Sequence, residues 1–399
     1  MPDTVTDLSN FLGFTHCSNT SLTSPIDLSG LDGWFDGNES ITDLSNFLSF
    51  THSSNTSLTS PISLSPLSGW FNGNTSITDL SFFLAYIHAG NTNLETPIIL
   101  GPLSGWFIAN NKITNLSNFL QGTQDFNDLL ASSIDLDPIK DWFSGNTSIT
   151  NLSWFLQATH AGDNKLASPI ILTPLKGWFS GNTSIIEDLS YFLQFTHTDN
   201  NLLTSSIDLD PIKDWFSGNT SITNLSFFLY ATHYNNNLIA LPIILTPLQG
   251  WFSANNNITD MSYFLNRTNA YSNAIASLID FTPLRNWFNA AGHSIDNLIG
   301  FLMETHASNP SLNLTGQTIF PDWIQTLKGG TGPSTSINDV ENVAGAFVRM
   351  FYCEPTQTTT NTAEPKFEDG NTLSSIGVPS IPNQTYTGRT GFTPNSGWN

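Results

Sequence analysis

The stretch Asn146-Thr147-Ser148-Ile149-Thr150-Asn151-Leu152-Ser153-Trp154-Phe155-Leu156, followed by Thr159-His160 and then by Ser168-Pro169-Ile170-Ile171-Leu172-Thr173-Pro174-Leu175-Lys176-Gly177-Trp178-Phe179, is one copy of a unit that recurs along the chain. Its tryptophans mark the period. Trp34, Trp70, Trp106, Trp142, Trp178, Trp215, Trp251 and Trp287 follow one another at 36 residues, with one step of 37, and Trp323 continues the series. Nine such units run from about residue 4 to about residue 325. A unit of this length cannot bury its own Trp, Phe and Leu/Ile, so neighbours must stack into one continuous core.

Within a unit, Ser148 is placed to cap a helix whose Leu152, Phe155 and Leu156 follow the i, i+3, i+4 spacing of a buried stripe. The pattern predicts a helix of about three turns ending near Thr159-His160. Ser168 to Leu172 reads as a brief strand opened by proline. Thr173-Pro174 then starts a shorter helix over Leu175 to Phe179, a signal repeated at Asp137-Pro138, Asp210-Pro211, Thr246-Pro247 and Thr282-Pro283. The expected fold is an α/β, helix-rich solenoid of nine repeats over residues 1–328. A linker and capping helix occupy 329–354, and an extended Thr/Asn/Pro/Gly-rich tail occupies 355–399. With helical layers about 10 Å apart, nine units predict a rod on the order of 90 Å long.

The chain has 399 residues, 39% hydrophobic and 12% aromatic, which excludes a disordered polymer. Only 11 Lys+Arg stand against 32 Asp+Glu, for a net charge of -21, so there is no basic face for nucleic acid. No apolar run of 18 residues is present, hence no membrane span, and the opening Met1-Pro2-Asp3-Thr4 shows no signal peptide. Cys17 and Cys353 are too few for a zinc cluster or a disulfide framework. Lys328 to Ser334 is glycine-rich but lacks the Gly-Lys-Ser/Thr of a phosphate loop, and reads as linker.

Seven histidines share one column: His16, His52, His88, His160, His197, His233 and His306. At layer spacings of about 10 Å they cannot converge on one metal, and a place at a helix end accounts for them. Gln124 and Asn269 fill the same column and keep hydrogen-bonding capacity. The column before Leu-Ser alternates Asp and Asn, from Asp7 to Asn297, which suits capping and excludes a general acid or base. Asn38, Asn74, Asn110 and Asn146 form a turn ladder, and the many Asn-x-Ser/Thr sequons follow from composition. No cofactor and no metal site is expected, because every polar column repeats and no unique acid, base or nucleophile cluster stands out.

The eight tryptophans from Trp34 to Trp287 are expected as a core ladder, each burying about 150–250 Å². The position x in Leu-Ser-x-Phe-Leu points away from the core at about 200° on a helical wheel. It holds Asn10, Asn46, Phe82, Asn118, Trp154, Tyr191, Phe227, Tyr263 and Gly300. Five large aromatics on a solvent face read as a binding or assembly stripe, with Phe392 and Trp398 of the tail as further candidates.

Asn74-Thr75-Ser76-Ile77-Thr78-Asp79-Leu80-Ser81-Phe82-Phe83-Leu84, with Ser57 to Ile62, resembles the BspA-like leucine-rich-repeat surface proteins. These carry Asn-Val-Thr-Asp-Met-Ser before Met-Phe and then a Ser-Leu-Thr-Ser strand. The resemblance implies an α/β solenoid with a surface adhesion or interaction role. The expected function is a non-enzymatic structural protein that assembles with copies of itself. The expected place is extracellular, on a virion or cell surface. Head-to-tail filaments would form with the tail strapped across each junction, because Thr4 to Leu12 is already a standard repeat without a cap. The alternative is a surface adhesin whose outward aromatics take glycans or a protein receptor.

Overall fold

Thr42 lies 36 residues after Thr6, and its backbone N–H and its hydroxyl both donate to the Thr6 carbonyl, at 2.8 and 3.1 Å. The contact recurs at Thr78, Thr114 and Thr150, so each unit lies directly on the one before. Beside it a single-file parallel bridge joins Asp7, Asp43, Asp79, Asn115, Asn151, Asp188, Asn224, Asp260 and Asn297. These residues head nine layers, numbered 1 to 9 in that order. The structure, a computed structural model, describes residues 5–108, 110–143, 146–163, 165–178, 187–215, 220–251, 257–287, 297–307 and 309. It also describes two short strands, β1 (Thr318–Phe320) and β2 (Lys366–Phe367), paired in parallel. The expected capping helix, and the rest of the tail with Phe392 and Trp398, lie outside the described residues.

The helix-rich α/β architecture is not what forms. Among the described residues there is no α-helix. Where the long helix is expected, the chain makes a ribbon of successive four-residue turns. Leu44, Asn46, Leu48 and Phe50 donate to the carbonyls of Asp79, Ser81, Phe83 and Ala85 in the next layer. The amides between them, those of Phe47, Ser49, Thr51 and Ser53, each donate to the carbonyl three residues back. Every fourth residue, Asn46, Phe50 and Ser54, points outward with φ of 55 to 57°. Leu44, Phe47, Leu48, Thr51 and His52 are buried.

An outward period of four resembles the 3.6 of a helix over so short a motif, which is why Leu-Ser-x-Phe-Leu reads as helical. The deciding factor is the neighbouring layer. An α-helix spends its amides inside its own segment, whereas the turn ribbon leaves alternate amides to bond the adjacent layer. The cost is left-handed backbone at non-glycine residues, about 1–2 kcal/mol each.

The short strand is likewise replaced. Pro61 to Leu64 forms no strand, and Ile62 donates its N–H to the His88 ring. The short helix shrinks to one 3-10 turn per layer, such as Thr173–Leu175 and Asp210–Ile212, starting at the expected Thr-Pro or Asp-Pro. Gly69, Gly105, Gly177 and Gly250, with φ of 86 to 89°, turn the chain just after it. Layers held by backbone bonds stack at about 4.8 Å, so nine of them extend about 40 Å, not 90 Å.

Side chains repeat from layer to layer. Phe47, Phe83, Phe119, Phe155, Phe192, Phe228 and Phe264 stack ring on ring at 5.4 to 5.7 Å. The Trp-Phe column fits between layers edge to face, Phe71 against Trp106 at 4.8 Å and Phe107 against Trp142 at 4.7 Å. Trp70, Trp106, Trp142, Trp178, Trp215 and Trp251 are fully buried, as a core ladder requires. Trp34, in layer 1, departs from it and is 42% exposed. The side chain of Trp287 lies outside the described residues.

Candidate functional site

The outward column is at the left-handed position of the first turn in every layer. Asn10, Asn46, Phe82, Asn118, Trp154, Tyr191, Phe227, Tyr263 and Gly300 all have φ between 55 and 68°. That explains the Asn and Gly, which tolerate this conformation, and makes the aromatics costly there. The cost is offset by stacking. Trp154 lies on Tyr191 at 3.9 Å, Tyr191 on Phe227 at 4.6 Å and Phe227 on Tyr263 at 4.7 Å, with ring planes within 18°. All four, and Phe82, are half-buried.

Rings lean toward the following layer. A Cβ at Gly300 would meet the Tyr263 ring at 2.5 Å, so the last ring of the stack covers the glycine backbone. Gly122 under Tyr86 repeats the arrangement in the next outward column, where Phe14, Phe50 and Tyr86 stack at 4.8 and 4.7 Å. The ring faces are thus occupied by one another, and the stack presents edges and the Tyr hydroxyls to solvent.

Inside the ribbon His52, His88, His160, His197 and His233 are buried and His16 half-buried, with neighbouring rings 5.7 to 6.2 Å apart, closer than helical layers would put them. The expected bond to carbonyls at a helix end does not form. Instead Nε2 of His52, His88, His160, His197, His233 and His306 accepts the N–H of an isoleucine 26 or 27 residues earlier, Ile26, Ile62, Ile134, Ile170, Ile207 and Ile279. Each lone pair is committed to the chain's own backbone, so the rings are neutral Nδ1–H tautomers. Burial holds His88, His160 and His233 down at about 3 and His197 well below its ordinary value, while His52 sits at about 4. Among the described residues no group of three or more His, Cys, Asp or Glu is arranged to hold a metal. Gln124 and Asn269 do not replace the histidine's bonds: their buried amide atoms have no partner among the described residues.

The Asp/Asn column works as turn chemistry, with Asp43 and Asn115 accepting the N–H two residues on. The Asn turn ladder forms as expected: Asn74 accepts from Ser76 and Ile77 and donates to the Asn38 carbonyl. A further ladder had no prior signal beyond its repetition: Asn91, Asn127, Asn200 and Asn236 donate to the carbonyls of His52, His88, His160 and His197. In layer 5 this ladder holds Asp163. Its carboxyl accepts from the Asn127 N–H and from His160 Nδ1, both at 2.9 Å. Burial pushes Asp163 well above the usual carboxylate range, and burial with the Asp163 charge pushes Asp125 up to about 8.

No protein-family model and no curated relative matches the chain, so the BspA-like resemblance rests on the quoted residues alone. Among solved structures it is similar to an internalin, InlF, from Listeria monocytogenes, at 13% identity and a TM-score of 0.17, over 84% of this chain and 82% of that one. It is also similar to the functional domain of InlJ from Listeria monocytogenes, at 15% identity and a TM-score of 0.14, over 75% and 65%. Scores this low do not establish a shared fold. No helix of the described residues is long and apolar enough to cross a membrane.

Proposed function

We propose that this chain is a non-enzymatic repeat scaffold, working at an outer cell or virion surface, that assembles with copies of itself through the turn-ribbon face. The observation carrying the reading is the stack Trp154, Tyr191, Phe227 and Tyr263, apolar and half-exposed on a face whose backbone would rather hold Asn or Gly. Aromatics whose backbone strain is balanced only by stacking on one another, and whose edges stay half-exposed, suit contact with something outside. The polar columns support a scaffold too, because their hydrogen bonds are spent on the backbone of adjacent layers.

The alternative, an adhesin gripping glycans, is served less well by this geometry. Sugars pack against ring faces, and here the faces cover one another; exposed edges suit a protein surface.

The test replaces Trp154, Tyr191, Phe227 and Tyr263 together by Asn, which the column already holds at Asn46 and Asn118. Light scattering should show assembly lost while the Tm shifts by only a few degrees, because relief of about 1 kcal/mol of strain per residue opposes about 0.5–1.5 kcal/mol per lost stack. Unchanged assembly overturns the proposal. Wild-type protein that binds a glycan array yet stays monomeric establishes the adhesin instead.

A further inference from the structure

Ser132 to Ser153 and Ser205 to Ser226 are identical at every one of their 22 positions, two layers apart. The single layer between them differs at several positions, one of which belongs to an alternating column. In the column just after the buried Ile98, Ile134, Ile170, Ile207, Ile243 and Ile279, the outward residues of layers 3 to 8 are Ile99, Asp135, Ile171, Asp208, Ile244 and Asp280. The core residue is the same in every layer, so packing does not demand the alternation. The three isoleucines are 65, 60 and 58% exposed. They form ridges about two layer spacings, or 10 Å, apart. Between them lie grooves floored by aspartate; the one at Asp135, bounded by Ile171, Asp137 and Lys176, has a volume of about 790 Å³.

Charge also differs between layers 4, 5 and 6. Lys140 and Lys213 pair with Asp137 and Asp210 at 3.4 and 3.2 Å. Layer 5 has Thr173 in place of that aspartate, which leaves Lys176 without an ion pair among the described residues.

Building on the self-assembly reading, we infer that this ridged face pairs with the same face of a second copy, antiparallel, about a twofold axis between layers 5 and 6. A copy carries the same 10 Å alternation by construction, which other partners would have to match. The axis places layer 3 on 8, 4 on 7 and 5 on 6. Each ridge then meets a groove: Ile99 faces Asp280 of the second copy, Ile171 faces Asp208, and Ile244 faces Asp135. Lys176 comes opposite the Asp210–Lys213 pair of the second copy, gaining the carboxylate its own layer lacks. Isologous contacts of this kind close on themselves. Six layers span about 29 Å, and a specific interface at the low end of the range takes about 600 Å² per copy.

The experiment is sedimentation velocity from micromolar to 200 μM in the background carrying Asn at positions 154, 191, 227 and 263, so that the aromatic face is silent. The expected species is a dimer. Ile171→Asp, in a column that already holds aspartate, should leave the Tm intact and weaken the dimer at least about tenfold, because Asp then faces Asp208 twice per dimer. Adding Asp208→Ile restores ridge against groove and should return the dimer constant to within about threefold, a swap that damage to the fold would not rescue. A strictly monomeric background protein overturns the inference while leaving the aromatic reading intact. So does a dimer unmoved by Ile171→Asp, or one not restored by the swap. Conversely, background dimers alongside wild-type protein that never grows beyond dimers retain the inference and defeat the aromatic reading.

Discussion

Ile62 donates its backbone N–H to Nε2 of His88 across 3.1 Å, linking the edge of one layer to the turn ribbon of the next. The bond makes an amide that would otherwise be buried and unpaired depend on an uncharged imidazole. Repeated down the stack, it ties the whole assembly of layers to pH.

Stability should therefore peak near pH 6 to 7. His88, His160, His197 and His233 are lowered in the fold, so below about 6.5 the unfolded chain takes up protons that the folded chain refuses. Each costs about 1.4 kcal/mol by pH 5.5. Asp125 and Asp163 are raised, so the folded chain holds protons that the unfolded one has released, and stability falls again as pH rises toward about 8. Urea titrations from pH 4.5 to 9 check this; a flat profile contradicts it.

Asp163→Asn should lower stability at pH 6 by about 1–3 kcal/mol, since its amide oxygen keeps the bond from the Asn127 N–H while the bond that His160 Nδ1–H gives the other carboxyl oxygen is lost. In the same variant the alkaline decline should become shallower. Differential scanning calorimetry at pH 6 and pH 8 separates the two effects.

Gly122→Ala should cost about 1–3 kcal/mol, from a left-handed φ of 56° and a Cβ 2.5 Å from the Tyr86 ring. With Tyr86→Ala added, the part due to the ring should disappear and the backbone part remain. A double-mutant cycle that shows no coupling would mean the ring does not cover the glycine.

Trp142→Ala should lower stability by about 3–5 kcal/mol, as for a fully buried indole, and Trp34→Ala by about 1–2 kcal/mol at most. Equal losses at the two sites would show that Trp34 is as enclosed as its counterparts.

Asn74 and Asn146 carry sequons, but their side-chain amides donate to the Asn38 and Asn110 carbonyls in the buried ladder. A glycan on either nitrogen is incompatible with stacking. Expressed through a glycosylating secretory route, chains modified at these sites should be unfolded by circular dichroism, and folded chains should be unmodified there by mass spectrometry.

The repeat, its period, the burial of Trp70 to Trp251, the position of a helical start at Thr-Pro or Asp-Pro and the outward place of Trp154, Tyr191, Phe227 and Tyr263 were legible in the sequence by itself. All of them are properties of side-chain type at fixed intervals. Secondary structure was not. Leu152, Phe155 and Leu156 fit a helical face and a ribbon of turns equally well, because a motif of five residues cannot separate a period of 3.6 from one of four. Only the tertiary structure decided between them, through the amides: an isolated unit would keep its hydrogen bonds at home, while a stacked one gains a bond to its neighbour at every second residue. The same contact between layers set their close spacing, turned the histidines from helix ends into buried acceptors, and closed the aromatic faces against one another.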